Sequence, residues 1–253
     1  MRKNCQKMDT LRSLVISAAF LIVGHASIGA SNAIAEVGDS PATEPLTPFV
    51  AEYSAYRFGG EVGQASLTLE PLTTKQYSLT YSSKVSKFFL SDKRFEHSIF
   101  LLEDGQLVPS QYYYKRSGTG PDKALEVNFD HDKQQIKIDD QPPLPWNGQF
   151  DNQLFRIDVP RQLARGKTEM TYDFVNYRGE MREYNIQVVG TEQLELPYGM
   201  LDSIKIKINR GSSSRETFAW FSPSLDYVLV RLQQFKDGDE QGDIKLSAYR
   251  TTD

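Results

Sequence analysis

The residues able to do chemistry in this chain are few and scattered. Past the first 35 positions the histidines are His97, inside a strand-like run, and His131, in a hairpin turn. Neither has another His or Cys nearby in sequence, so a transition-metal site has no local support. The one cysteine, Cys5, precedes the N-terminal apolar run and cannot serve as a lipid anchor, which needs a cysteine just after that run. No G-x-S-x-G elbow and no H-E-x-x-H pair occurs. A Ser-His-Asp set assembled in space is left open, but no spacing points to it. Acids are plentiful, yet no spacing singles out a pair for general acid and base work.

Two motifs come closer to a site. Asp237-Gly-Asp239-Glu-Gln241-Gly-Asp243 resembles the start of a calcium loop. Its twelfth position is Ala248 where a bidentate Glu is required, and its flanks are strands, so a solvated hairpin tip is the better reading. Gly211-Ser-Ser-Ser-Arg215 has the look of a phosphate cradle, but a strand rather than a helix follows it, so it reads as a polar turn.

The remaining candidates are aromatic. Trp146 lies in a loop with Pro142, Pro143, Pro145 and Gly148, and Trp220 near a strand end before Ser222-Pro223. Either can cap a binding cavity, against the plainer role of a lid packed over the core. Phe88 and Phe89, before Leu90, sit where a strand should turn polar, and form an exposed apolar edge for a ligand or plain core after a bulge. Phe88, Phe89, Trp146 and Trp220 are the candidate ligand-binding residues. No catalytic residue, metal ligand or cofactor is indicated.

The elements that must position them are strands. Ile204, Ile206 and Ile208 alternate with Lys205 and Lys207, giving one apolar and one charged face, and Leu196-Pro197-Tyr198-Gly199 before them makes a tight turn. The same alternation recurs from Val50 onward, with turn signals at Gly59-Gly60, Asp104-Gly105, Asp130-His131-Asp132 and Arg178-Gly179. The spacing predicts an all-β fold: a single antiparallel, strongly curved sheet, half-barrel or barrel of about a dozen strands. One helical segment is expected near 151–165, ended by Gly166 and broken into two short pieces at Pro160.

Residues 1–35 have the pattern of a secretory signal. Arg2, Lys3, Lys7 and Arg12 precede an apolar core from Leu14 to Gly24, and Ala33-Ile34-Ala35 fits cleavage after Ala35. The core is short for an uncleaved membrane anchor. Residues 36–48, with Pro41, Pro45 and Pro48, form a flexible leader, and 49–253 a single β domain. The 218 residues after Ala35 are enough for one sizeable core, and they contain no cysteine to staple it. They carry 25 basic and 32 acidic residues, which argues against nucleic acid and anionic membrane surfaces as partners. No later stretch is long and apolar enough to span a bilayer. The expected address is the periplasm.

Several segments together resemble an exported bacterial family, domain of unknown function 3108. Tyr56 to Leu69, with Gly59, Gly60 and Gly63, is similar to its opening strand pair. Gly105-Gln-Leu107-Val-Pro109-Ser-Gln-Tyr112 is similar to its internal hairpin, and Asn128-Phe129-Asp130 to a strand end. Gly190-Thr-Glu192, Pro197-Tyr-Gly199 and Ile204-Lys-Ile206 resemble its most recognisable segment, and Trp220-Phe-Ser222-Pro223 with Val230-Arg231 its closing motif. Pro160 departs from the longer midpoint helix usual in the family. The resemblance implies an antiparallel β fold and, by fold-level analogy, a relation to the half-barrels of periplasmic lipoprotein carriers; it implies no activity. The expected function is a non-enzymatic periplasmic binding or carrier protein for a hydrophobic, lipid-like ligand. The alternatives are an envelope-assembly scaffold that binds a protein partner through its sheet edge, and a hydrolase with paired carboxylates.

Overall fold

The computed structural model describes residues 45–87, 90–211 and 214–252. The expected signal peptide, most of the leader, and Phe88 and Phe89 lie outside the described residues.

Fifteen strands form one sheet. The first seven run as an antiparallel meander: β1 (Phe49–Arg57), β2 (Gly60–Pro71), β3 (Gln76–Lys87), β4 (Leu90–Glu103), β5 (Gln106–Gly118), β6 (Lys123–Asp130) and β7 (Gln135–Ile138). Alternating burial along β1, with Phe49, Ala51, Tyr53 and Ala55 inside, is the pattern that fixes register in a half-buried sheet. Asp104-Gly105 joins β4 to β5 with both residues at positive φ (47° and 76°), as a two-residue hairpin turn matched to strand twist requires.

The chain then leaves the meander. Two short bridges, β8 (Leu144–Pro145) and β9 (Phe150–Asp151), flank a turn, and helix α1 (Phe155–Ala164) follows. A second meander comprises β10 (Glu169–Val175), β11 (Met181–Leu196), β12 (Gly199–Asn209), β13 (Arg215–Ser222), β14 (Val228–Lys236) and β15 (Asp239–Thr251). The two meanders join where β1 pairs with β15, from Phe49–Thr251 to Tyr56–Asp243. The strand order is therefore 8-7-6-5-4-3-2-1-15-14-13-12-11-10-9, and the middle of the chain supplies both sheet edges.

The sheet does not close by hydrogen bonds, but its two ends meet through side chains. Val175, at the end of β10, is buried in one cluster with Tyr112, Tyr114, Leu125, Val127 and Ile138 of β5–β7. The β10–β11 turn presses Gly179 (φ +74°) onto Ile138, where a Cβ would come within 2.9 Å of its methyl. Helix α1 joins the other two clusters: Leu154 and Ile157 meet Leu67, Leu79 and Phe100, and Val159 and Leu163 meet Phe174, Ile186 and Ile206.

Three sequence expectations are corrected. The strands number fifteen rather than about a dozen, because the two-residue strands β8 and β9 carry too little pattern to be read. One pair, β9 with β10, is parallel, since the crossover returns on the same side. Pro160 does not break α1. An interior proline costs about 3 kcal/mol, but Ile157, Val159 and Leu163 are buried on both sides of it. Asp158 is also held by Tyr172, Arg161 and Gln162, so tertiary contacts override the local penalty.

Candidate functional site

The predicted aromatic residues are not assembled into one site. Trp146 packs on the β5–β7 cluster, edge-on to His131 at 4.4 Å, and its Nε1 donates to the Gln149 carbonyl. It is a lid over the core. His131 Nε2 donates to the Pro109 carbonyl at 2.7 Å, which leaves Nδ1 as a buried acceptor with no partner among the described residues. His97 hydrogen-bonds Thr80 through Nδ1, and burial lowers its pKa. Trp220 belongs to a different cluster, beside Val230 and Leu246, and only 2% of it is exposed.

Trp220 anchors a charged row. Cross-strand register places Lys205, Trp220, Arg231 and Lys245 side by side over β12–β15, so all four project from one face. The Lys205 ammonium lies 4.9 Å from the indole centroid and the Arg231 guanidinium 4.8 Å. Glu192 accepts from Trp220 Nε1 at 2.7 Å and pairs with Lys205 at 3.0 Å; the indole first and the ammonium second hold its carboxyl below the usual range. Arg231 grips Asp243 with two bonds of 2.9 and 2.8 Å. The calcium-like run thus folds as a turn at Asp237-Gly238 followed by strand β15, and its last acid is spent on an arginine. Among the described residues no group of His, Cys, Asp and Glu can hold a metal ion.

A cleft of about 500 Å³ opens beside this row. The β11–β12 hairpin makes it. A bulge at Val188–Gly190 redirects β11, and the amide of Tyr198 at the hairpin tip donates to the Leu246 carbonyl of β15. The tip thereby contributes Glu195, Leu196 and Pro197 to one wall, while Tyr56, Arg231, Glu240, Asp243 and Lys245 line the other. Glu240 is held by the Phe58 amide and Gln233. Lys245 is less constrained: its ammonium is 3.7 Å from Asp243 and 4.9 Å from the Tyr56 ring centroid.

A second charged cluster lies inside the sheet. Glu96 of β4 accepts from Tyr112 (2.8 Å), Asn152 (2.6 Å) and Arg156 (3.1 Å), and Arg156 stacks on Tyr81. Gln153 reaches the Leu79 carbonyl and Ser98. Asp151 Oδ1 caps the turn into α1 through the amides of Gln153 and Leu154, whereas Oδ2 has no hydrogen-bond partner among the described residues. Burial pushes the Asp151 carboxyl up to about 7. The Gln153 and Leu154 amides and the Ser98 hydroxyl draw it down, and neighbouring Glu96 raises it further. Asp151 is fully buried and Glu96 is 4% exposed, so this carboxylate pair is walled off rather than open to a substrate. Burial opposes charge on Arg156 most strongly, but Glu96, Tyr81 and Tyr112 together raise its pKa.

Sequence reasoning missed Glu96, Asp151 and Arg156 altogether. Arg231 appeared only within a family motif, and Asp243 only within the calcium-like run. An acid directly before a helical segment, Asp151, was the one local signal available.

Among curated proteins none matches the chain in sequence. Among solved structures, a beta-barrel-like protein of domain of unknown function 1849 from Brucella abortus superposes with TM-score 0.54 at 8% identity, over 83% of this chain and 99% of that one. That shows a shared fold. A Bacteroides fragilis protein of YmcC-like fold matches with TM-score 0.33 at 12% identity, over 81% of this chain and 97% of that one. The family model for "Protein of unknown function (DUF3108)" matches residues 52–245, spanning both meanders, the crossover and the cleft, and the chain belongs to that family.

Proposed function

We propose that this chain is an exported, non-enzymatic binding protein that takes a polar ligand with an anionic group in the cleft beneath the β11–β12 tip. The observation that carries the reading is the contrast within the cleft. Arg231 and Asp243 pair through two bonds and form a rigid floor, while Lys245, held only by a longer 3.7 Å contact to Asp243, and the Tyr56 ring present a loosely held cation and an aromatic face. The volume, about 500 Å³, suits a small molecule. Export is supported by the basic start, the short apolar run and Ala33-Ile34-Ala35, which make the periplasm the expected compartment. A lipid-like ligand held inside the sheet would have to occupy space now filled by Leu154, Ile157, Val159 and Leu163.

Native mass spectrometry of the protein, isolated without detergent, tests this against a Tyr56→Ala, Lys245→Ala double variant. The expected result is a discrete added mass, recovered in aqueous extract and lost from the variant. A bare mass for both proteins would overturn the cleft reading. An added mass that extracts into organic solvent and persists in the variant would instead favour the lipid carrier.

A further inference from the structure

The two edges of the sheet are not alike. At the β7–β8 edge the chain covers itself: Trp146 donates its amide to the Gln134 carbonyl and Gln141 to that of Ile138. At the opposite edge β9 pairs with Phe174 and Val175 only, so the rest of β10 has no strand beside it. The direction of its backbone groups follows from one bond. Val188 donates to the Thr168 carbonyl, so Thr168 faces β11, and by the two-residue period so do Met170, Tyr172 and Phe174. Glu169, Thr171 and Asp173 therefore turn both N–H and C=O outward. β9 takes the Asp173 carbonyl, because its Phe150 stands in parallel register with Phe174; among the described residues no strand pairs with the outward groups of Glu169 and Thr171 or with the Asp173 amide.

Within the free stretch of β10 the exposed charged side chains are acidic, with Lys167 just before it. Glu169, Thr171 and Asp173 are exposed, and Asp173 stands opposite Glu183 of β11. Met170 and Tyr172 point the other way, into the cluster around Val159 and Leu163. A second copy is a poor occupant, because antiparallel self-pairing about Thr171 sets Glu169 against Asp173.

We infer that β10 is a docking edge for an extended segment of a protein partner in which basic residues alternate with apolar ones. Its backbone completes the sheet through Glu169, Thr171 and the Asp173 amide. Its Lys or Arg side chains lie over the acids, and its apolar side chains continue the face of Met170 and Tyr172. This inference is independent of the ligand cleft.

The test uses a capped peptide of alternating lysine and valine, with a glutamate–valine peptide as its opposite. The expected result is that the lysine peptide slows hydrogen exchange at the amides of Glu169, Thr171 and Asp173 and binds about tenfold tighter than the glutamate peptide. Thr171→Pro removes an outward N–H without touching the β10–β11 ladder, where an edge proline is tolerated, and should abolish that binding. Should that variant fail to fold, Glu169→Lys with Asp173→Lys keeps the backbone intact and should reverse the peptide preference. No protection at these amides would overturn the inference. So would equal binding of both peptides, unchanged binding in the variants, or protection that grows with protein concentration alone, the mark of a second copy.

Discussion

The molecule contains two clusters built from the same parts, a carboxylate, an arginine and an aromatic ring, and they behave as opposites. Glu96, Arg156 and Tyr81 lie inside the sheet and bind the crossover to β3–β5. Asp243, Arg231 and Trp220 lie beside an open cleft. Inside, almost every bonding group is taken, and the carboxylate gathers three donors, from β5, the turn before α1 and α1 itself. Beside the cleft, the Arg231–Asp243 pair is a floor and Lys245, 3.7 Å from Asp243, is the more loosely held cation. Composition does not separate a structural cluster from a binding one; the balance of spent and unspent bonding capacity does.

The sharpest way to break the comparison is Glu96→Ala. It strands Arg156 and Tyr112 in the interior, with an expected loss of about 3–5 kcal/mol. Asp243 is as buried as Glu96, each 4% exposed, but its strong bonds go to one arginine beside an open cleft, so Asp243→Ala should cost less than Glu96→Ala, and urea unfolding of the two variants ranks the clusters directly. Equal losses would erase the distinction.

The pH response sharpens it further. The folded pKa of Asp151, about 7, lies above its ordinary value of 3.8, so the folded state holds this proton more tightly than the unfolded chain does. Stability from this group is therefore highest at low pH, falls as pH rises from about 4 to about 7, and is level above that. The full difference is about 4 kcal/mol. Asp151→Asn keeps the cap to Gln153 and Leu154 and should flatten this part of the profile. Unfolding midpoints taken at pH 5 and pH 8 check it, and an unchanged slope would assign the pH dependence elsewhere.

Smaller effects are expected on the cleft side. Trp220→Phe deletes the bond to Glu192 and weakens the stack with Lys205 and Arg231, for about 1–2 kcal/mol in thermal unfolding. Lys245→Ala should change stability by under about 0.5 kcal/mol. A larger cost would make Lys245 part of the scaffold rather than a free ligand contact.

Much of the scaffold was legible because its signals are local. Asp104-Gly105 announces its turn by residue type, Gln76–Lys87 and Gln135–Ile138 have the bounds their alternation suggests, and Ile204–Ile208 alternates as a half-buried strand must. Trp146 follows the same logic, since a tryptophan among prolines most often closes a core. The illegible parts depend on distant partners. Arg156 is 60 residues from Glu96, and nothing near either one reports the other. Pro160 misleads because the contacts that hold α1 together come from β10 and the sheet interior rather than from the helix's own sequence. The cleft gathers charged residues that a search for aromatics passes over.

The pairing of β1 with β15 has a kinetic consequence. Each meander is knit from neighbours in sequence and can form locally and early. The seam between them joins Phe49 to Thr251, so the largest loop in the molecule closes only once both halves exist. The seam is the expected slow step of folding, and until it forms each half shows the other a long, unpaired strand.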